Sequence, residues 1–228
     1  MSTRSELETF FGALRFFTRL PVPGALGQDA PALARAMRWP KTLAVLAAMS
    51  TAILITGALH EDGWSDTVDG LGGGRDGEAA LSIMRDSRIG TFGAAALILM
   101  LLVRFFALIE IDMLLVPVAM IAGHAVSRLC STVVFHRLDY ARKVGDAGPF
   151  TACLGKSCLI FAGVAALLPV LLLPPSQSLP ALILAAAATF WLARLCLKRI
   201  GGYTGDCLGA IQQLSEVAFY SGLLCKFS

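Results

Sequence analysis

"TLAVLAAMSTAILITGALHEDGWSDTVDG", residues 42–70, decides how this chain is read. Its first part, 42–59, carries no charge and comes close to the about 20 apolar residues that a membrane-crossing helix needs. Its second part sets His60, Glu61, Asp62, Asp66 and Asp69 directly after that run. The apolar pattern returns at 94–111, 113–135, 157–175 and 179–197. A sixth window, 207–225, is more polar because it holds Gln212, Gln213 and Glu216. The whole chain of 228 residues is 56% hydrophobic and 15% charged, with a mean hydropathy of +0.71. Soluble domains are not this apolar. The expected fold is all-α: one polytopic transmembrane helix bundle over 1–228, with five to six spans and short amphipathic interfacial helices.

Residues 5–20 read as an interfacial helix, with Leu7, Phe10, Phe11, Leu14 and Phe17 at helical spacing and Pro21 and Pro23 ending it. Residues 31–38 read as a second short helix. The N-terminus is not a signal peptide, since Arg15 and Arg19 break its apolar stretch. Six cysteines, none in a CxxC pair, read as small buried hydrophobes. A net charge of +3 with dispersed basic residues gives no nucleic-acid signal.

The polar material is concentrated. Seven of the sixteen acids lie in 60–92. Alternation of spans brings loops 60–92, 136–156 and 198–206 to one membrane face. Asp62, Asp66 and Asp69 stand at i, i+4 and i+7, so a helix puts them on one face. Carboxylates that repel at this density call for a cation, and hard oxygen donors suit Mg²⁺ or Mn²⁺ rather than zinc. Gly63 and Gly70 allow close approach, and "GLGGGRDG" (70–77) reads as a flexible loop. A short helix over 78–89 carries Arg85, Asp86 and Arg88. Asp86 is a further metal-ligand candidate, and the arginines are candidates for paired hydrogen bonds to a phosphate. His60 reads as a helix-end cap or a base, and Asp206 as an N-cap or a metal ligand. His124 and Arg128 sit inside a candidate span and are expected to line its interior; Arg104 and Arg194 either do the same or snorkel.

"HEDGWSDTVDGLGGGRDGEAALSIMRDSRIGTFG" (60–93) closely resembles the signature of the cobalamin synthase (adenosylcobinamide-GDP ribazoletransferase) family. "FFTRLPVP" (16–23), "SR" (127–128), "YAR" (140–142) and "GGYTGDCLGA" (201–210) match the same family in order and approximate spacing. The resemblance implies a Mg²⁺-dependent, multi-pass enzyme of the bacterial inner membrane, with the motif loops cytoplasmic. Its substrates would be adenosylcobinamide-GDP and α-ribazole or α-ribazole 5′-phosphate. Its products would be adenosylcobalamin, or its 5′-phosphate, and GMP. On that reading Asp62, Asp66, Asp69 and Asp86 hold one or two Mg²⁺ ions. Arg85, Arg88 and Arg142 contact phosphate, with Gly70 and Asp206 in the substrate site, and His60 or a metal-held carboxylate takes the hydroxyl proton. A homo-oligomer is compatible with the sequence.

Two rival readings exist. Asp66-Thr67-Val68-Asp69-Gly70 half-resembles the CDP-alcohol phosphotransferases, but Gly73 and Gly74 stand where that family has Ala-Arg, and its later paired aspartates are missing. A transporter would place acids mid-membrane, and here only Glu216 is expected there. One departure from the cobalamin synthase pattern is expected. That family has a further span between its N-terminal motif and the acidic motif, whereas "RWP" (38–40) here runs straight into the first apolar window. With a single span, the six basic residues of 1–41 oppose the nine in the motif loops, and the positive-inside tendency gives no orientation. The chain is therefore expected either to lack a span near residue 40 or to run 42–59 as something other than an ordinary crossing helix.

Overall fold

A computed structural model describes residues 40–142 and 156–225, with side chains from 159 onward in the second stretch. The helices expected over 5–20 and 31–38, the motif at 16–23 and Cys153 lie outside the described residues. The described residues form eight helices and no strand: α1 (Lys41–Thr56), α2 (Leu59–Gly73), α3 (Gly77–Ile83), α4 (Thr91–Glu110), α5 (Val116–Arg137), α6 (Lys156–Val170), α7 (Pro175–Ile200) and α8 (Gly205–Leu223). The all-helical bundle expected from the apolar windows is what is found.

The chain divides into two compact units, Met1–Leu59 and His60–Ser228. In the first, α1 stops because Gly57 turns left-handed (φ 65°) and donates its N–H to Leu54 O, while Ala58 donates to Ile53 O at 2.9 Å. Ala58 is left-handed as well, with φ 58°. An L-residue with a Cβ is strained there. Ala58→Gly is therefore expected to raise stability by about 1 kcal/mol, and Ala58→Val to lower it. Thermal midpoints in detergent check both.

In the second unit α8 is the central helix. It packs against α7, α5 and α4, while α6 packs on α5 and α3 on α7. The interfaces use small residues. A Cβ on Gly123 would strike the Tyr220 ring, and one on Gly222 would strike the backbone of Ala181. Residues that make the 207–225 window polar, Gln212, Gln213, Ser215 and Glu216, are all buried. A helix with such a polar interior has to be surrounded by other helices rather than by lipid.

Three helices, α4, α5 and α7, are each long and apolar enough to cross a membrane; α1 and α2 meet the same measure only together, as one span interrupted at Gly57–Ala58. Counted this way the described residues hold three to four spans, fewer than the five to six windows suggested. The windows at 42–59 and 157–175 become helices of 16 and 15 residues, and the 207–225 window is too polar. The outer faces are apolar: Ile98, Leu99, Leu102 and Phe106 on α4, and Ile183, Phe190 and Trp191 on α7, are all exposed. Arg104 lies on the opposite, inward stripe of α4 and is 1% exposed. Arg194 of α7 is exposed, so Arg104 and Arg194 take opposite solutions.

Two local expectations are corrected. The helix expected over 78–89 ends at Ile83, so Arg85, Asp86 and Arg88 lie in the turn beyond it. Asp76 caps its start, accepting from Ala79 N–H at 2.8 Å, and Asp86 closes a local turn by accepting from Arg88 N–H at 3.1 Å. The glycine-rich stretch 70–77 is not simply a loop, because α2 continues through Gly73.

Candidate active site

α2 holds its carboxylates at the spacing the sequence sets, but they differ in burial. Asp62 is exposed and Asp66 half-buried. His60, Glu61, Ser65, Thr67 and Asp69 are buried. At about 100° per residue, His60 points away from the side that carries Asp62 and Asp66. His60 is 3% exposed, which removes it from the surface where a base would meet a substrate beside Asp66.

Backbone contact brings Asp206 to this helix. A Cβ on Gly63 would stand 2.8 Å from Asp206 O, and one on Gly209 would stand 3.4 Å from His60 Cα. Gly63 has to be glycine for α2 and the start of α8 to touch backbone to backbone, whereas a Cβ at Gly209 would make an ordinary contact. Asp206 is not the N-cap of α8. Thr204 is, its hydroxyl accepting from Cys207 N–H at 3.2 Å. Asp206 is left to accept from Arg142 Nη2 at 2.7 Å. Arg142 is delivered by a small clasp between the two remaining motifs. Ala141 N–H donates to Tyr203 O at 2.9 Å and Tyr203 N–H to Asp139 O at 3.0 Å, with the Tyr140 and Tyr203 rings edge to face at 5.6 Å.

The result is a crowd of negative charge. Asp66 lies within electrostatic range of Asp62, Asp206 and Asp69, with Arg142 as the opposing cation that acts on it most. Segments from 60–69, 139–142 and 203–206 thus meet at Asp66.

Two candidate metal ligands are occupied otherwise. Asp69 accepts from Gly90 N–H at 2.7 Å and Gly93 N–H at 2.8 Å. Gly90 is the N-cap of α4 and has no side chain to satisfy those amides, so Asp69 does this from 21 residues away. A carboxylate there also suits the positive end of the helix. Asp69→Ala is expected to cost about 1–2 kcal/mol, read as a lower thermal midpoint in detergent. Asp86 is gripped by Arg88, whose Nε donates at 3.0 Å and Nη2 at 2.6 Å. These hydrogen bonds hold the Asp86 carboxyl down at about 2. The structure does not bring Asp86, Arg85 or Arg88 to Asp66. Arg85 and Arg88 are exposed on the turn after α3.

The glycines serve packing. A Cβ on Gly70 would stand 2.8 Å from Ala80 O, and one on Gly74 would stand 2.6 Å from Ala80 N. They let α3 lie against the end of α2. Arg199, which the sequence reading did not single out, finishes that end, donating to Leu71 O at 3.1 Å and Gly74 O at 2.7 Å. A cation on the last carbonyls of a helix is well placed.

A second polar group lies inside the bundle, where the sequence led one to expect His124, Arg104 and Glu216 but not their pairing or the part of Glu61, Gln213 and Tyr220. Arg104 Nη2 pairs with Glu216 Oε1 at 2.7 Å and Arg104 Nη1 with Glu61 Oε1 at 3.7 Å. His124 Nδ1 stands 3.1 Å from Glu216 Oε2, and Tyr220 donates to Glu216 Oε1 at 2.9 Å. Gln213 Nε2 donates to Glu61 Oε1 at 2.9 Å. The signal was available: charges within apolar windows turn inward and pair.

Comparison with known proteins fits this arrangement of motifs. The family model described as Cobalamin-5-phosphate synthase matches residues 32–224. The chain belongs to that family. A protein of Bradyrhizobium diazoefficiens named adenosylcobinamide-GDP ribazoletransferase is 44% identical over 203 residues, covering 87% of this chain and 78% of its own. One of Shewanella halifaxensis with the same name is 37% identical, covering 97% of this chain and 96% of its own. A third, of Shewanella amazonensis, is 36% identical over 258 residues, covering 100% of this chain and 99% of its own. That alignment is longer than the 228-residue chain, so about 30 of its positions have no counterpart here. No solved structure matches.

The family's cation can be tested against the donors present. Among the described residues no three His, Cys, Asp or Glu side chains form a ready metal-holding group. Mg²⁺, however, is commonly held by one or two carboxylates together with substrate phosphates and water, not by an all-protein cage. Asp62, Asp66 and Asp206 suit that role as oxygen donors, Asp62 and Asp206 both acting electrostatically on Asp66. Asp69 and Asp86 are committed elsewhere.

Proposed function

We propose that this chain joins adenosylcobinamide-GDP to α-ribazole, or to its 5′-phosphate, releasing GMP. The observation that carries the proposal is the meeting of Asp62, Asp66, Asp206 and Arg142 from three separate motifs in a member of this family. The relatives' shared name supplies the substrates. In the reaction the ribazole ribose hydroxyl forms a bond to the phosphorus on the cobinamide arm. The bond from that phosphorus to the bridging oxygen breaks, GMP leaves with the electron pair, and the hydroxyl proton passes to a base or to water.

Transfer of this kind depends on position and on charge neutralisation. Mg²⁺, when bound at Asp62 and Asp66 with Asp206, would supply the charge that offsets the diphosphate. Arg142, half-buried and already oriented by Asp206, offers the diphosphate a guanidinium with two donor edges. Asp66 is the carboxylate placed to accept the hydroxyl proton, because His60 faces inward. The protein works in a lipid bilayer, which we take to be the bacterial inner membrane with the motif face cytoplasmic. Purified protein with Mg²⁺, adenosylcobinamide-GDP and α-ribazole is expected to release GMP. No release above a control lacking α-ribazole would overturn the reading.

A further inference from the structure

The fully buried residues of α2 have an unusual composition. Its buried residues are His60, Glu61, Gly63, Ser65, Thr67, Asp69 and Gly70, with no aliphatic or aromatic side chain among them. A helix normally fixes its rotation by pressing large apolar side chains into a neighbour's grooves. α2 has two, Trp64 and Leu71, which are only partly buried against the core, and Gly63 meets α8 backbone to backbone, a contact that by itself leaves rotation about the axis weakly defined. Contacts elsewhere on α2 can fix the rotation further.

The inward polar group can do this. Glu61 receives Gln213 Nε2 at 2.9 Å and faces Arg104 at 3.7 Å. Arg104 is itself held at 2.7 Å by Glu216, which is held in turn by Tyr220 at 2.9 Å and His124 at 3.1 Å. The chain of contacts begins on α2 and ends on three other helices, α4, α5 and α8. Buried ion groups add little net stability, and their best-attested use is to specify register. These hydrogen bonds and ion pairs run among Glu61, Arg104, His124, Gln213, Glu216 and Tyr220 and include neither Asp62 nor Asp66. Glu61 sits one residue before Asp62, so a small turn of α2 would swing both carboxylates off Asp206.

We propose that Glu61, with Arg104, Glu216 and Gln213 behind it, is a rotational lock on α2: a set of positioning residues that hold Asp62 and Asp66 toward Asp206 during transfer. The turnover part of the test rests on the function proposed above. The structural part does not.

Glu61→Gln and Glu216→Gln remove charge while keeping shape. Tyr220→Phe removes one hydroxyl and keeps the ring that packs on Gly123. On monodisperse protein, the two charge variants are expected to lower kcat about 10- to 100-fold with KM for adenosylcobinamide-GDP within about threefold. Amide exchange across 59–73 is expected to quicken while 116–137 stays protected. Tyr220→Phe is expected to move both readouts the same way, kcat by about threefold. A kcat that falls only in proportion to folded protein, with exchange across 59–73 unchanged, overturns the lock. If the charge variants do not fold, an unchanged Tyr220→Phe overturns it. A wild-type chain that releases no GMP defeats the transferase reading, and the exchange comparison still decides the lock.

Discussion

Asp66→Asn is expected to lower GMP release about 10²- to 10³-fold while leaving the protein as stable as before, or more so. The size follows from the role: removing one preorganised group that acts on developing charge commonly costs that much. The stability side follows from the crowding. Asp62, Asp206 and Asp69 all bear on Asp66, and in the protein alone Arg142 is the cation that offsets them most. Neutralising Asp66 relieves that repulsion, as happens where a site keeps unfavourable charge for the sake of its chemistry. Rate and thermal midpoint, measured on the same preparation, give two readouts that move apart. Asp69→Ala is expected to move them together, because its carboxylate closes the start of α4. An Asp66→Asn variant with full turnover would remove Asp66 from the reaction.

Arg104→Met is expected to cost about 3–5 kcal/mol, the range for breaking a buried ion group by deleting one partner. Arg104 is 1% exposed, and its loss takes from Glu216 its arginine partner at 2.7 Å and from Glu61 the guanidinium at 3.7 Å. Carboxylates do not stay charged and unpaired in such surroundings. Arg194→Met, in another arginine-bearing apolar window, is expected to change stability by no more than about 0.5 kcal/mol, because that side chain is exposed. Thermal or denaturant unfolding of both variants in one detergent compares them directly. Equal effects would mean that Arg104 is not paired as described.

Several parts of this architecture were legible in the sequence. Long apolar windows gave α4, α5 and α7, and the i, i+4, i+7 spacing put Asp62, Asp66 and Asp69 on one helix. The acidic, "YAR" and "GGYTGD" segments do meet, although the span count from which their meeting is expected is larger than the three to four found. What stayed hidden depends on partners that leave no side-chain pattern. Asp69 bonds to backbone amides 21 and 24 residues away, and nothing in residues 90–93 advertises a need for a carboxylate. Gly70, Gly72 and Gly73 have poor helix propensity and argue for a loop. They are helical because α3 lies too close to Gly70 for a Cβ. The inward turn of His60 was unreadable because it is set by the partners of its neighbour Glu61, which come from α4 and α8.

The clasp at Tyr140 and Tyr203 bears on how this protein tolerates change. Arg142 is placed by hydrogen bonds made at residues 139, 141 and 203 and by its own bond to Asp206. The clasp bonds residue 203 to residues 139 and 141, so inserting or deleting one residue between Asp139 and Arg142 would shift its register and carry Arg142 away from Asp206. That short stretch should thus evolve at fixed length, whatever substitutions its side chains accept.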